Sequence, residues 1–312
     1  MPEYSPEQDI AKGLADFRQG RKTFLTEFEI PTDDMPEEEQ PEVSIERLTA
    51  YNLEQILKEI NAEERLKDPD LLKQLIEDLN DDLERGKTSP DNASWACQTL
   101  SAIRFLGINF PGLNPEDLVI RINNPNLLKQ LSEYLNDCLE LGETNPNSAS
   151  YACETLATIS FLGINLPGLN PEDLVIRINN PNLLKQLTKG FNDDFEKGKT
   201  NPNFASYACE TLYAIRFLGI YLPGLNPEDL ITRINNPNFL ERLTEDFNDD
   251  LERGKTNPIF ASYACETLFI IRNIINYYSA IADEKEATQA AHRLKTAADR
   301  TGVPPRPEQK AF

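Results

Sequence analysis

The sequence predicts an all-α protein built from tandem repeats, and three observations support this prediction. First, the segment LLKQL begins at Leu71, Leu127 and Leu183, and the related FLERL begins at Phe239, each 56 residues after the previous copy. Second, Asn-Pro, Asp-Pro or Ser-Pro pairs recur at fixed places in each copy, where the polar residue can cap a helix and Pro fits its first turn. Third, the apolar residues between these pairs recur at helical spacing. A fixed period in this range is typical of a repeat array.

Each repeat is expected to contain three helices. The first begins at Asp68-Pro69 or an equivalent pair, carries leucines at four-residue spacing and ends near Gly86, which is expected in the C-terminal capping role. The second begins at Ser89-Pro90 or an equivalent pair, and its small Ala96 and Cys97 permit close packing. The third is short, begins at Asn114-Pro115 or an equivalent pair and is almost wholly apolar, so it should be buried.

One such unit cannot bury its own apolar stripe, so we expect the units to stack into an α-solenoid. The stacking would be comparable to that of armadillo and HEAT repeats, although the 56-residue period is longer. The expected organisation is an N-terminal arm with an acidic linker (1–42), an N-terminal capping helix (43–70), a four-repeat solenoid (71–282), and a C-terminal helix with a flexible tail (283–312).

The last repeat departs from the pattern after Leu268. FIIRNIINYYSAIA replaces the glycine turn and the third helix, so the second helix is expected to continue with an apolar face at 268–282. The end of a solenoid should be polar unless something covers it. Two alternatives follow: residues 282–300 fold back as a helical cap, or the face forms a homodimer or partner contact.

Charge and composition exclude several function classes. The net charge of −21 argues against direct nucleic-acid binding, which needs clustered Lys and Arg. The sequence shows no signal segment and no apolar run long enough to span a bilayer, so a cytoplasmic protein without membrane association is expected. Cys97, Cys153, Cys209 and Cys265 share one repeat position and should be small buried residues rather than disulfide partners, and Cys138 is incidental.

The sequence gives little indication of a catalytic site. His292 is the only histidine and lies in the C-terminal segment, so neither a catalytic triad nor a histidine-rich metal site is expected. The glycines lie at expected helix ends rather than in a phosphate-binding loop, and the acidic NDDLE-type segments do not have EF-hand spacing. We therefore expect no catalytic residues, cofactor or metal, and a protein that is not an enzyme.

Three repeated polar features remain as a partner-binding hypothesis. If they face one groove, amides could bind a peptide backbone, rings could pack its side chains, and acids could attract basic residues. The alternative is that the amides connect neighbouring units and the aromatic residues belong to the core. The candidates are Asn80, Asn136, Asn192 and Asn248; Trp95, Tyr151, Tyr207 and Tyr263; and Asp81, Asp82, Asp193, Asp194, Asp249 and Asp250.

The sequence thus predicts a non-enzymatic protein-interaction scaffold or adaptor that binds a protein or extended peptide with a basic surface through its repeats. The alternative is an acidic inhibitor or neutralising partner of a basic, nucleic-acid-handling enzyme, acting through the N-terminal arm and the acidic surface.

Overall fold

The computed structural model describes residues 44–108 and 115–301, and this part of the chain is all-helical. The predicted N-terminal arm and the tail after Thr301 lie outside the described residues. Thirteen helices are present in the described part. They are α1 (Ile45–Glu59), α2 (Ala62–Leu66), α3 (Pro69–Arg85), α4 (Pro90–Leu106), α5 (Pro115–Ile122), α6 (Pro125–Leu141), α7 (Pro146–Leu162), α8 (Pro171–Ile178), α9 (Pro181–Gly198), α10 (Pro202–Leu218), α11 (Pro227–Ile234), α12 (Pro237–Arg253) and α13 (Pro258–Thr301).

The polar-Pro pairs start the helices as the sequence predicts. The side chains of Asp68, Asn124, Asn180 and Asn236 each accept a hydrogen bond from a backbone N–H in the first turn, and a proline follows each of them. This arrangement satisfies a donor that the helix itself cannot pair. The helix boundaries therefore follow from local chemistry that is repeated in every copy.

Gly86 has a different role from the one expected. It ends α3 at φ −61°, which any residue can adopt, so it is not a left-handed cap. A Cβ at this position would lie 2.9 Å from the Cα of Ala93. The glycine therefore permits the close approach of α3 and α4, which keeps the first two helices of the repeat tightly packed.

The helices form a closed ring rather than a stack with two ends. The second helices of the repeats, α4, α7, α10 and α13, contact each other in order, and α13 also packs against α3 and α4. The first helices, α3, α6, α9 and α12, each pack against two of them from outside. We call these two sets the inner and outer helices. The predicted α-solenoid of three-helix repeats is not confirmed, because the fourth repeat packs on the first.

The N-terminal segment completes the fourth repeat instead of capping a free end. In the first three repeats an arginine of the third helix donates to an outer-helix asparagine, as Arg121 does to Asn80 at 2.6 Å. In the fourth repeat Arg65 of α2 donates to Asn248 at 2.6 Å. Helix α2 thus occupies the place of the missing third helix.

Helix α1 covers the apolar continuation of α13. The two helices pack together, and ion pairs join Arg47 to Asp283 at 2.8 Å and Lys285 to Glu46 at 2.5 Å. Residues 282–300 do not fold back as a cap, because α13 continues as one helix to Thr301. Most of the apolar face at 268–282, which was a candidate for a homodimer contact, is therefore covered by α1 of the same chain.

Within the described residues, one helical stretch, Pro258–Gln289, is long and apolar enough by composition to cross a membrane, with a mean hydropathy of 1.2. Its apolar window is 61% buried inside the protein. Burial of this kind is expected for a core helix, and α13 contacts both the outer and the inner helices of the ring.

Candidate functional site: an axial vestibule

The inner helices place equivalent residues around one axis. Phe105, Phe161 and Phe217 occupy one repeat position, and their ring centroids are 6.2 and 6.3 Å apart between successive helices. Contact between equivalent residues shows that the inner helices run parallel and in register. Side chains three or four residues apart therefore form layers along the axis.

The outermost layer consists of aromatic rings. Trp95, Tyr151, Tyr207 and Tyr263 are 49%, 48%, 48% and 49% exposed. Burial raises the pKa of Tyr151 to about 12, and the charges of Glu154, Tyr207 and Glu210 contribute in the same direction. The predicted aromatic series therefore lies close to the acids of its own helix and of the next one.

A second layer, of three glutamates and one glutamine, lies one helical turn deeper. Gln98, Glu154, Glu210 and Glu266 occupy one repeat position and line a cavity of about 30 Å³. Tyr213 and Phe269, whose ring centroids are 5.0 Å apart, contribute to the wall of the same cavity. We call the aromatic layer, this carboxyl layer and the small cavity the axial vestibule.

Threonines connect this layer between neighbouring helices. Thr211 Oγ1 donates to Glu154 Oε1 at 3.1 Å, and Thr99 Oγ1 donates to Glu266 Oε1 at 2.8 Å across the closure of the ring. Glu210 receives no side-chain hydrogen bond from the residues that the structure describes. The three carboxyl groups are thus held on helices, with incomplete hydrogen bonding.

Burial makes these carboxyl groups hard to ionise. It raises the pKa of Glu154 to about 7, and it raises the pKa of Glu210 and of Glu266 well above the ordinary value. The neighbouring acids act in the same direction, because like charges disfavour ionisation. The residues that line the cavity include no Lys or Arg, so a bound cation would favour the ionised form of these glutamates.

The predicted aspartate pairs separate into two groups. Asp81, Asp193 and Asp249 are exposed, and two of them form ion pairs with arginines one turn later. Their neighbours turn inward: burial raises the pKa of Asp82 to about 6, that of Asp250 to about 8, and that of Asp194 as well. The inward group lies near the vestibule, since it contributes to the raised pKa of Glu210 and of Glu266.

The four predicted asparagines lie outside the axial vestibule, and their side chains already form hydrogen bonds within the protein. The side-chain oxygen of each asparagine accepts a hydrogen bond from an arginine of a short third helix or of α2. The pairs are Asn80 with Arg121, Asn136 with Arg177, Asn192 with Arg233 and Asn248 with Arg65. These bonds attach the third helix to the outer helix, so in this structure the oxygens do not face a peptide groove.

The sequence reasoning missed the carboxyl layer. The signal was present, because Gln98, Glu154, Glu210 and Glu266 recur three residues after the aromatic series and must share its helix face. Among the described residues, no group of three or more His, Cys, Asp or Glu side chains is arranged to hold a metal ion. All five cysteines are free and buried.

Comparison with protein-family models, curated proteins and solved structures finds no match for this chain.

Proposed function

We propose that the protein is a non-enzymatic cytoplasmic adaptor that binds a basic protein or peptide by taking a lysine side chain into the axial vestibule. The observation that carries the proposal is the convergence of Glu154, Glu210 and Glu266 on a cavity of about 30 Å³ beneath four half-exposed aromatic rings. The net charge of −21 would favour encounter with a basic partner.

The chemistry of the vestibule selects an ammonium group. A lysine ammonium has three N–H donors and is compact, whereas the arginine guanidinium is a wide planar fork. The cavity has about the size of one water molecule, which suits the ammonium. The lysine stem would pass between the aromatic rings, which attract cations through their faces.

Binding in this way depends on pH. An ammonium needs ionised carboxylates, and the pKa of Glu154 is raised to about 7. Affinity should therefore increase as the pH rises from about 6 to about 8, and bound lysine should release protons from the glutamates. A purely surface attraction to ordinary acids would show little change in this range.

The test is isothermal titration calorimetry of the full chain with a tetralysine peptide and with the same peptide acetylated on every lysine. We expect the lysine peptide to bind and the acetylated peptide not to bind. Glu154→Gln, Glu210→Gln and Glu266→Gln should each weaken binding several-fold, whereas Glu140→Gln, an exposed acid on α6, should have little effect. Equal binding by the acetylated peptide, or equal losses in Glu140→Gln, would contradict the proposal.

The alternative, a neutralising partner that acts through its N-terminal arm, rests on residues 1–42, which lie outside the described residues. The same titration separates the two functions. Deletion of residues 1–42 should leave lysine-peptide binding intact if the vestibule is responsible, and should abolish it if the arm is.

A further inference from the structure

A second cavity lies toward the other end of the ring, between α10 and α13. Its volume is about 290 Å³, and its lining includes Tyr213, Arg216, Phe217, Asn273, Tyr277 and Tyr278. This volume is close to the lower limit for small-molecule sites in proteins. The cavity can therefore hold a small organic molecule as well as water.

The cavity arises where the fourth repeat departs from the others. Helices α4, α7 and α10 end at Gly107, Gly163 and Gly219, whereas α13 continues without a turn. Tyr277 and Tyr278 lie on this continuation and have no helical counterpart in the second and third repeats. The side chains that distinguish this cavity are thus a property of the exceptional repeat.

Three buried polar atoms of the lining have no hydrogen-bond partner. They are the hydroxyl of Tyr213, the hydroxyl of Tyr278 and Nε of Arg216. Tyr213 is 7% exposed and Tyr278 is 1% exposed, so neither side chain is freely hydrated. Unpaired buried polar groups are rare in folded proteins because each one is costly. Their concentration around one cavity makes them available to a ligand that enters it.

The charge of the lining specifies the occupant further. Arg216 donates a long hydrogen bond of 3.4 Å from Nη1 to the Tyr277 hydroxyl, its guanidinium lies 5.3 Å from the centre of that ring, and it also interacts with the hydroxyl of Tyr278. No carboxylate of the described residues lies within ion-pair distance of Arg216. The charge of Arg216 is therefore available to an anion that enters the cavity.

We propose that this cavity binds a small monocarboxylate with an apolar body. The carboxylate would accept hydrogen bonds from Arg216 Nε and from the tyrosine hydroxyls, and the body would pack against Leu212, Phe217 and Ile274. A single charge is favoured over a phosphate dianion because one guanidinium is available. The last turn of α10 also carries negative partial charge on its free carbonyls. Tyr213 lines both cavities, but Arg216 lines only this one, so a substitution of Arg216 tests this site separately from the axial vestibule.

The experiment titrates the full chain with phenylacetate and hexanoate by calorimetry, using phenylacetamide as the neutral analogue. The carboxylates should bind at one site per chain, and the amide should bind at least about tenfold more weakly. Arg216→Gln should reduce carboxylate affinity roughly tenfold to a hundredfold. Tyr278→Phe should reduce it by a smaller factor and serves as a second variant if Arg216→Gln does not fold.

A matched control exists in the first repeat. Arg104 occupies the position equivalent to Arg216 but is exposed and does not line the cavity. Arg104→Gln should therefore retain full affinity.

The proposal is overturned if neither carboxylate binds at millimolar concentration, if phenylacetamide binds as tightly as phenylacetate, or if Arg104→Gln loses as much affinity as Arg216→Gln. Failure of this proposal would not contradict the lysine site, because that site is tested with substitutions of Glu154, Glu210 and Glu266 rather than of Arg216.

Discussion

Ser262 Oγ donates a hydrogen bond to Asp78 Oδ2 at 2.6 Å, although 184 positions separate the two residues. The same two repeat positions meet between adjacent repeats, where Ser206 donates to Asp246 at 2.5 Å over 40 positions. The contact that closes the ring is thus also the contact that joins the third repeat to the fourth. The fourth and first repeats therefore form an interface of the ordinary kind.

Closure of the ring predicts equal effects of two serine substitutions. Ser262→Ala and Ser206→Ala each remove a hydrogen bond from a half-buried aspartate, so each should lower the free energy of unfolding by about 1–2 kcal/mol. Urea denaturation followed by circular dichroism measures both. An open array would instead show a cost for Ser206→Ala and none for Ser262→Ala.

The N-terminal helix is predicted to be part of the core. Leu53 of α1 is 0% exposed, so Leu53→Ala should cost about 2–5 kcal/mol of folding free energy. Leu48 on the same helix is 45% exposed, and Leu48→Ala should change stability by no more than about 0.5 kcal/mol. Both values come from urea denaturation. If the two substitutions cost the same, α1 does not cover the ring as described.

The carboxyl layer predicts an unusual dependence of stability on pH. The folded protein keeps a proton on Glu154 up to about pH 7, whereas an ordinary glutamate loses it near pH 4.5. The free energy of unfolding should therefore be highest at the acidic end of this window and fall as the pH rises. For this one group the change is on the order of 2–3 kcal/mol.

Asp250 extends the same trend to higher pH, because its pKa is raised from 3.8 to about 8. Thermal unfolding between pH 5 and pH 8 should show a melting temperature that decreases with rising pH. Glu154→Gln should flatten the curve, because glutamine has the same shape and no charge, whereas Glu140→Gln should not. A melting temperature that increases over this range would refute the assignment of buried, protonated acids.

The asparagine series is predicted to stabilise the fold. Arg177 Nη1 donates to Asn136 Oδ1 at 2.5 Å, and Asn136→Ala would leave that donor without its acceptor. We expect a loss of about 1–2 kcal/mol in unfolding free energy and unchanged affinity for the tetralysine peptide. Asn126→Ala, at an exposed position of the same helix, is the control for the substitution itself. Loss of peptide affinity in folded Asn136→Ala would restore the groove hypothesis.

Much of the local structure could be predicted from the sequence. The helix starts at Pro69, Pro90 and Pro115 and their equivalents follow from a proline in the first turn. Asp68 also caps the helix at Pro69, whereas Ser89 makes no capping hydrogen bond at Pro90. The buried leucines of α3 follow from four-residue spacing. The aromatic series could be recognised in the sequence as a repeated feature. Its acidic neighbours three residues later were missed, because glutamates on a helix usually face solvent.

The sequence alone determined the all-helical class, the 56-residue period, the helix boundaries and the departure of the last repeat, because these depend on signals that act over a few residues. Tertiary structure alone decided that four repeats close into a ring, that α2 supplies the missing third helix, and that Glu154, Glu210 and Glu266 face inward. The physical reason is that closure depends on the angle between successive repeats, which is set by many side-chain contacts between helices. A small change in that angle would leave every local signal intact and turn the same repeats into an open array with its glutamates in water.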